Sequence, residues 1–455
     1  MKRKMIAFFM ALCLMVSAAC FLPGCTTNTG TGIVDASINA QGELVLVYED
    51  GRQQNLGVVV GRDGVDGKDG VDGKDGTDGK DGADGESDVV ILQGNDRGIA
   101  AASAKGLRST VSVLCRYETT VQQGGWRPGS GSTTTQEYYA AGSGVIFQMD
   151  KDAGSAFIIT NYHVVYDADS NTENGISADI RVYLYGSEFE ERAIPASYVG
   201  GSAYYDIAVL QVENSDILRN CGACPVEVAD SNDVAVGDPA IAIGNAKSYG
   251  IAVSYGIVSV DSEYINMTSV DGVNEVSFRV MRVDTAVNSG NSGGGLFNGQ
   301  GQLIGIVNAK IIDESVENIG YAIPSNVAIA IANNIIDYCY NTELECVQRA
   351  LLGIRVVTLD AKAVYNDETG LVHIEETISV YDVTDTSIAA GILQSGDILL
   401  RATIGGNTMP ITRQYQVVDM MLDVRVGDTV TLTLIRDGVE MTVDILITQD
   451  CITEY

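Results

Sequence analysis

The sequence predicts a mainly β chain with two folded units behind a long N-terminal extension, and three observations predict it. At 455 residues the chain has room for two to four domains of roughly 100 to 200 residues each. Over residues 99–340, short apolar runs rich in Val, Ile and Ala are separated by Gly, Asn, Asp and Ser; examples are Gly144-Val145-Ile146-Phe147, Ile207-Ala208-Val209-Leu210 and Ala240-Ile241-Ala242-Ile243-Gly244. Many short strands divided by turn residues read as an all-β barrel or sandwich. Helical spacing enters only late in that segment, where Ser325 is placed to cap a helix over 326–338. A hydrophobic content of 45% supplies enough apolar material for real cores.

The extension reads in pieces. Lys2, Arg3 and Lys4 are followed by no charge until Asp35, and residues 5–22 are apolar, the layout of an export signal. Pro23-Gly24 and the polar residues after Cys25 end the apolar run in a helix-breaking tract. Leu22-Pro23-Gly24-Cys25 resembles the lipobox of bacterial lipoproteins, which implies a signal peptide over 1–24, a lipid on Cys25 and a chain anchored to the bacterial cell membrane outside the cytoplasm. An ordinary signal peptide and an uncleaved anchor are the alternatives. Residues 25–60 form a linker with a small β-hairpin about Asp50-Gly51. Over 61–87, glycine recurs at every third place from Gly61 to Gly85, with Asp and Lys filling most other positions. Only glycine fits the axis of three wound chains, so the repeat resembles bacterial collagen-like stalks. No proline occurs in it, and a charged flexible spacer is the competing reading.

Charge and histidine content exclude whole classes of function. Lys+Arg total 28 against Asp+Glu 60, a formal charge of −32, which repels a polyanion and argues against a nucleic-acid partner. Histidine occurs at His163 and His373 only, so a centre of several clustered imidazoles cannot be built and no metal site is expected. Beyond Cys13, Cys20 and Cys25 there remain Cys115, Cys221, Cys224, Cys339, Cys346 and Cys451, an even set compatible with disulfides in an exported chain. Cys221-Gly222-Ala223-Cys224 lies outside any thioredoxin-like βαβ pattern, and no second pair stands at metal-ligand spacing. A local disulfide or free thiols is the expectation there.

Three short motifs carry the chemistry: Thr160-Asn161-Tyr162-His163-Val164-Val165, Tyr205-Asp206-Ile207-Ala208, and Asn288-Ser289-Gly290-Asn291-Ser292-Gly293-Gly294-Gly295. Singly, each has a plain structural explanation. Jointly they meet the demand of peptide hydrolysis by serine: a base for the hydroxyl proton, an acid to hold that base in one tautomer, and amide donors for the oxyanion. His163 is the one imidazole in the segment and so the general base. Asp206, among apolar neighbours, is preferred as its partner over Asp167 and Asp169, which lie in a polar tract. Ser292 is the nucleophile, and the loop Gly290, Asn291, Ser292 supplies the oxyanion hole, with the Gly290 and Ser292 N–H groups aimed into one small pocket.

With these flanks, the order His, Asp, Ser resembles the trypsin-like serine proteases and more narrowly the HtrA (DegP-like) family, over residues 99–340. Supporting stretches include Ala141-Gly142-Ser143-Gly144, Gly256-Ile257-Val258-Ser259, Asp284-Thr285-Ala286 and Gly320-Tyr321-Ala322-Ile323-Pro324-Ser325-Asn326. The resemblance implies two six-stranded β-barrels with the site between them, the triad His163, Asp206 and Ser292, and a primary pocket walled by Val307, Asn308 and Ala309. No acid stands there to select Lys or Arg, so small or medium aliphatic residues are the expected preference. The family usually has Pro where Ser289 and Gly295 stand and commonly Asn at Tyr162; losing the prolines predicts a more flexible nucleophile loop.

Residues 347–450 look like a PDZ domain, which the HtrA family carries in this place. Leu351, Leu352, Gly353 and Ile354 would form the loop that receives a peptide's terminal carboxylate while the peptide adds as a strand. A helix starting near Thr412 sets Tyr415, Val418 and Leu422 on one face, with one of them lining the groove or all three packed in the core. His373 falls in a strand and is read as structural. The sequence therefore points to a lipid-anchored, extracytoplasmic serine endopeptidase that cleaves unfolded or damaged exported proteins and peptides, without a cofactor, as a homotrimer by resemblance. The alternative is a catalytically silent surface scaffold or collagen-like adhesin that binds peptides or matrix.

Overall fold

The computed structural model describes residues 33–38, 43–48, 52–58, 97–123, 132–172, 174–187, 190–309, 319–340, 347–367 and 369–454. The export signal, Cys25, the Gly-X-Y repeat and Cys346 lie outside them. The chain divides into a unit of residues 1–89 and a unit of residues 90–455. In the first, strands β1 (Ile33–Ile38), β2 (Glu43–Tyr48) and β3 (Gln53–Val58) form an antiparallel sheet in that order. The β2–β3 pair carries Val47 opposite Gln53.

The second unit opens with a helix, Arg97–Ser109, that runs straight into a closed barrel. Its strands are β4 (Thr110–Gln123), β5 (Ser132–Asp150), β6 (Ser155–Thr160), β7 (Asp179–Leu184), β8 (Ile194–Ser202) and β9 (Ile207–Val212), paired in the order β4-β5-β6-β9-β8-β7. A second closed barrel follows: β10 (Pro239–Gly244), β11 (Ala252–Thr268), β12 (Glu275–Val283), β13 (Gly295–Phe297), β14 (Leu303–Asn308) and β15 (Gly320–Pro324), in the order β10-β11-β12-β15-β14-β13. Closure leaves neither barrel an open edge.

Each barrel buries its own interior: Val111, Val113, Ile158 and Leu210 in the first, Ala240, Val258, Met281 and Val307 in the second. A larger cluster lies between them, with Ile159, Ile207 and Val209 of the first barrel against Ile241, Ile243 and Phe297 of the second and Val327, Ile331 and Ile335 of the helix Ser325–Ile335. Strands β6, β9 and β10 are therefore buried on both faces, which is why they read as unbroken apolar runs rather than alternating ones. Each Val or Ile so enclosed contributes about 1.5–3 kcal/mol. Ser325 does not cap its helix as the sequence suggested. The N-cap is Pro324, and the Ser325 hydroxyl donates to the Ala229 carbonyl at 2.9 Å, fastening the helix to the interbarrel connection.

After β16 (Gln348–Ala350) come β17 (Ile354–Asn366), β18 (Leu371–Val383), β19 (Ile398–Ile404), β20 (Asn407–Pro410), β21 (Thr429–Arg436) and β22 (Val439–Leu446) in one sheet, with β23 (Ile452–Glu454) returning to pair with β16. A short helix, Gln414–Asp419, packs between this sheet and the second barrel.

Candidate active site

Strand β6 ends at Thr160 and the chain turns into one helical turn, Tyr162–Val165, which carries His163. Tyr162 stacks on Tyr166 with ring centroids 5.2 Å apart and meets Tyr198 edge-on; burial pushes its phenol up to about 12. Asp206 stands just before β9 with φ of 54°, in the left-handed region that Asp tolerates better than most residues. Asn161, fully buried, donates from Nδ2 to the Asp206 carbonyl at 2.7 Å and braces that backbone.

The Asp206 carboxylate is 1% exposed and receives three hydrogen bonds. The His163 backbone N–H reaches Oδ1 at 2.9 Å, the ring Nδ1 reaches Oδ2 at 2.6 Å, and Asn308 Nδ2 reaches Oδ2 at 2.8 Å. Such a contact fixes the tautomer, with hydrogen on Nδ1 and the lone pair of Nε2 left for a hydroxyl proton. Asp167, the rejected alternative, instead accepts from the Tyr138 hydroxyl at 2.8 Å.

Ser292 lies in the loop before β13 and is nearly buried. Its hydroxyl accepts from the Ala309 N–H at 3.2 Å, and among the described residues no hydrogen bond joins it to His163. The neighbouring residues Asn308 and Ala309 thus touch Asp206 and Ser292 respectively, so the end of β14 bridges acid and nucleophile. Between Ser292 and the His163 turn runs β5: a Cβ on Gly142 would stand 2.6 Å from the Val164 methyls and 3.2 Å from the Ser292 carbonyl oxygen.

The loop amides are sorted by direction. Asn291 N–H donates to the Asn288 carbonyl at 2.9 Å, so Asn291, one of the three residues read as the oxyanion hole, is not a free donor. Among the described residues the N–H groups of Gly290 and Ser292 have no acceptor. Gly290 has φ of 97° and Gly293 81°; a side chain at either would also run into backbone or buried hydroxyl oxygens.

Comparison with known proteins settles the lineage. Residues 142–306 match the family described as a trypsin-like peptidase domain. The serine protease Do-like HtrA of Lactococcus lactis subsp. lactis (strain IL1403) is 31% identical over 368 residues, 76% of this chain and 82% of that one. The periplasmic serine endoprotease DegP of Escherichia coli (strain K12) is 31% identical over 331 residues, covering 72% of this chain and 60% of that one. The chain belongs to the HtrA family of serine proteases. A solved structure of the HtrA-type protease AlgW with a decapeptide is 24% identical and aligns with a TM-score of 0.47 over 77% of this chain and 98% of the other.

Against the HtrA pattern, two departures find local reasons. Tyr162 fills an aromatic niche with Tyr166 and Tyr198, and at Gly295 any side chain would collide with the Phe297 ring. Two residues of the pocket wall read from the resemblance lie in the interior. Val307 and Asn308 are wholly buried, and the Asn308 amide is turned onto Asp206 rather than toward a substrate side chain.

The C-terminal sheet also reassigns side chains. Gly353 has φ of 70° and its carbonyl accepts from Thr384, while Leu351 N–H is committed to the Cys451 carbonyl at 2.8 Å; Leu351 therefore offers no amide to a peptide carboxylate. Tyr415 is buried beneath Arg279 of β12, whose guanidinium lies 3.8 Å from the ring centroid. Leu422 joins the interbarrel core. Of the three helix residues only Val418 remains exposed. Gln414 spans the gap between helix and β17, donating to the Val356 carbonyl at 3.4 Å and accepting from the Thr358 hydroxyl at 3.1 Å. His373 is exposed beside Glu375.

Proposed function

We propose that His163, Asp206 and Ser292 are the catalytic triad of this HtrA-family serine endopeptidase, with the Gly290 and Ser292 N–H groups as the oxyanion hole. The observation that carries the reading is the β14 terminus: consecutive residues hold the Asp206 carboxylate and the Ser292 hydroxyl, while the same carboxylate holds the His163 ring. His163 takes the Ser292 proton through Nε2 as the hydroxyl attacks the scissile carbonyl, and Asp206 stabilises the imidazolium. Protonation of the leaving amine by His163 gives the acyl-enzyme, which water then hydrolyses by the same route. The Ser292–His163 contact tightens when substrate enters, as catalytic hydrogen bonds commonly do. In the resting bond Ser292 Oγ accepts from the Ala309 N–H, which leaves the hydroxyl proton available for His163.

The same reading takes the chain to be an extracytoplasmic protease, lipid-anchored through Cys25 and spaced from the membrane by the Gly-X-Y segment. Its C-terminal sheet reads extended peptide ends as a PDZ domain, at the Leu352–Ile354 loop and along β17. Unfolded or damaged exported proteins are the substrates, a small or medium aliphatic residue enters beside Ala309, and the assembly is a homotrimer. Labelling with a fluorophosphonate probe and casein cleavage test the core of it. Both should depend on Ser292, with Ser292→Ala lowering turnover on the order of a million-fold, as in another serine protease. Undiminished labelling in that variant would place the nucleophile elsewhere.

A further inference from the structure

The missing proline at Ser289 should loosen the nucleophile loop, yet the loop is tied down from the opposite barrel by one side chain. Ser143, on β5 of the first barrel, is wholly buried. Its hydroxyl donates to the Gly290 carbonyl at 2.7 Å and accepts from the Asn245 N–H at 2.8 Å. Its own N–H donates to the Ser292 carbonyl at 2.8 Å, and its carbonyl accepts from the Thr160 hydroxyl at 2.7 Å, two residues short of the His163 turn.

The peptide geometry converts these bonds into a direction for the Gly290 donor. In a trans peptide the C=O and N–H point opposite ways. Fixing the Gly290 carbonyl therefore fixes Asn291 N–H, which is found on Asn288. The preceding peptide is held in the same manner, because the Ser289 carbonyl accepts from Lys247 N–H at 2.8 Å and so turns Gly290 N–H away from that contact. Lys247 belongs to the short turn after Asn245, and Asn245 is the residue whose N–H rests on the Ser143 hydroxyl. One oxygen thus anchors both the carbonyl inside the loop and the turn that orients the neighbouring peptide.

We infer that Ser143 is a positioning residue whose hydroxyl holds the oxyanion hole ordered without substrate, through its hydrogen bonds to Gly290 and Asn245. The inference rests on the triad reading but concerns the state of the hole, not the identity of the nucleophile. It requires that removing the hydroxyl weaken stabilisation of the developing oxyanion while leaving ground-state binding and base chemistry alone.

The test is steady-state cleavage of a chromogenic peptide by the full chain, with inhibition by a peptide boronic acid that mimics the tetrahedral intermediate. Ser143→Ala should lower kcat by about 10- to 100-fold, less than the loss of a donor itself, with KM within about two-fold, and boronate affinity should fall in parallel with kcat/KM. The pH at which kcat rises should not move, because His163 and Asp206 are untouched. Ser143→Cys, which keeps a side chain of similar shape and a weak donor, should fold and fall between the two; it carries the test if the alanine variant does not accumulate. Unchanged kcat in either variant, or a rise in KM with kcat intact, overturns the inference. Because Ser292→Ala abolishes cleavage independently, a failure here is separable from a failure of the triad reading.

Discussion

Two enclosed carboxylates, Asp206 buried and Asp419 half-buried, separate what a charge needs from what it merely tolerates. Asp206 is enclosed between the barrels and accepts from two side chains and one backbone amide. Asp419, on the helix that joins the second barrel to the C-terminal sheet, lies 3.0 Å from Arg279 Nε, yet neither of those two atoms makes a hydrogen bond with usable geometry. Burial pushes the Asp419 carboxyl up to about 6 despite the opposing pull of Arg279 and Arg349. The difference teaches that a nearby cation without directed hydrogen bonds does not offset the cost of enclosing a carboxylate.

The largest expected contrast is catalytic. Asp206→Asn should lower kcat by about 10⁴-fold, the cost found when a triad aspartate is replaced by its amide, whereas Asp419→Asn should leave kcat within a few-fold. Comparable losses in the two variants would erase the distinction. Next in size, Asn308→Ala removes one of three donors to Asp206 and should reduce kcat by about 10- to 100-fold, the worth of a hydrogen bond to a charged group. KM should hold steady, as it would not if Asn308 met the substrate side chain.

A smaller effect is a pH-dependent stability. The folded state binds the Asp419 proton more tightly than the unfolded chain, since about 6 exceeds the ordinary 3.8. The stability from this group is full below the unfolded value and is lost as pH rises through about 6. Raising pH from 5 to 8 should therefore shift the Tm of Asp419→Asn upward relative to the parent, by about 2–5 °C. A difference that stays constant across pH would mean that Arg279 and Arg349 hold the carboxylate ionised throughout, against burial and the nearby Asp423. Last, burial of Cys115 pushes its thiol up to about 12, while Cys221 and Cys224 are half-buried free cysteines. Iodoacetamide at pH 8 should modify those two and spare Cys115 until the first barrel unfolds, read by peptide mapping.

Much of the candidate site was legible because the chemistry is sparse in candidates. One imidazole in the segment left His163 no rival, and a glycine-flanked serine marked Ser292. Side-chain direction was less readable. Strand β14 is buried along its whole length, so alternation gave no sign that Asn308 turns to Asp206 instead of a substrate. Ser143 looked like one letter of a resemblance, because its partner Gly290 is 147 positions away. Ser325 was misread for the same reason: a cap is a local device, and the bond to Ala229 spans 96 positions. Tyr415 kept the right helix but faced the barrel, drawn by a guanidinium that helical spacing does not encode.

The arginine on β12 also bears on how this enzyme is dissected. Arg279 holds Tyr415 against its flat face and Asp419 beside its edge, and Leu422 fills the adjoining apolar hollow with Val347 and Ile335. An excised catalytic fragment stopping at residue 340 would open that hollow to water and strip the guanidinium of its companions. Rates measured on such a fragment would describe a protease with a raw flank, and supplying the missing half in trans should restore its solubility before it alters its turnover.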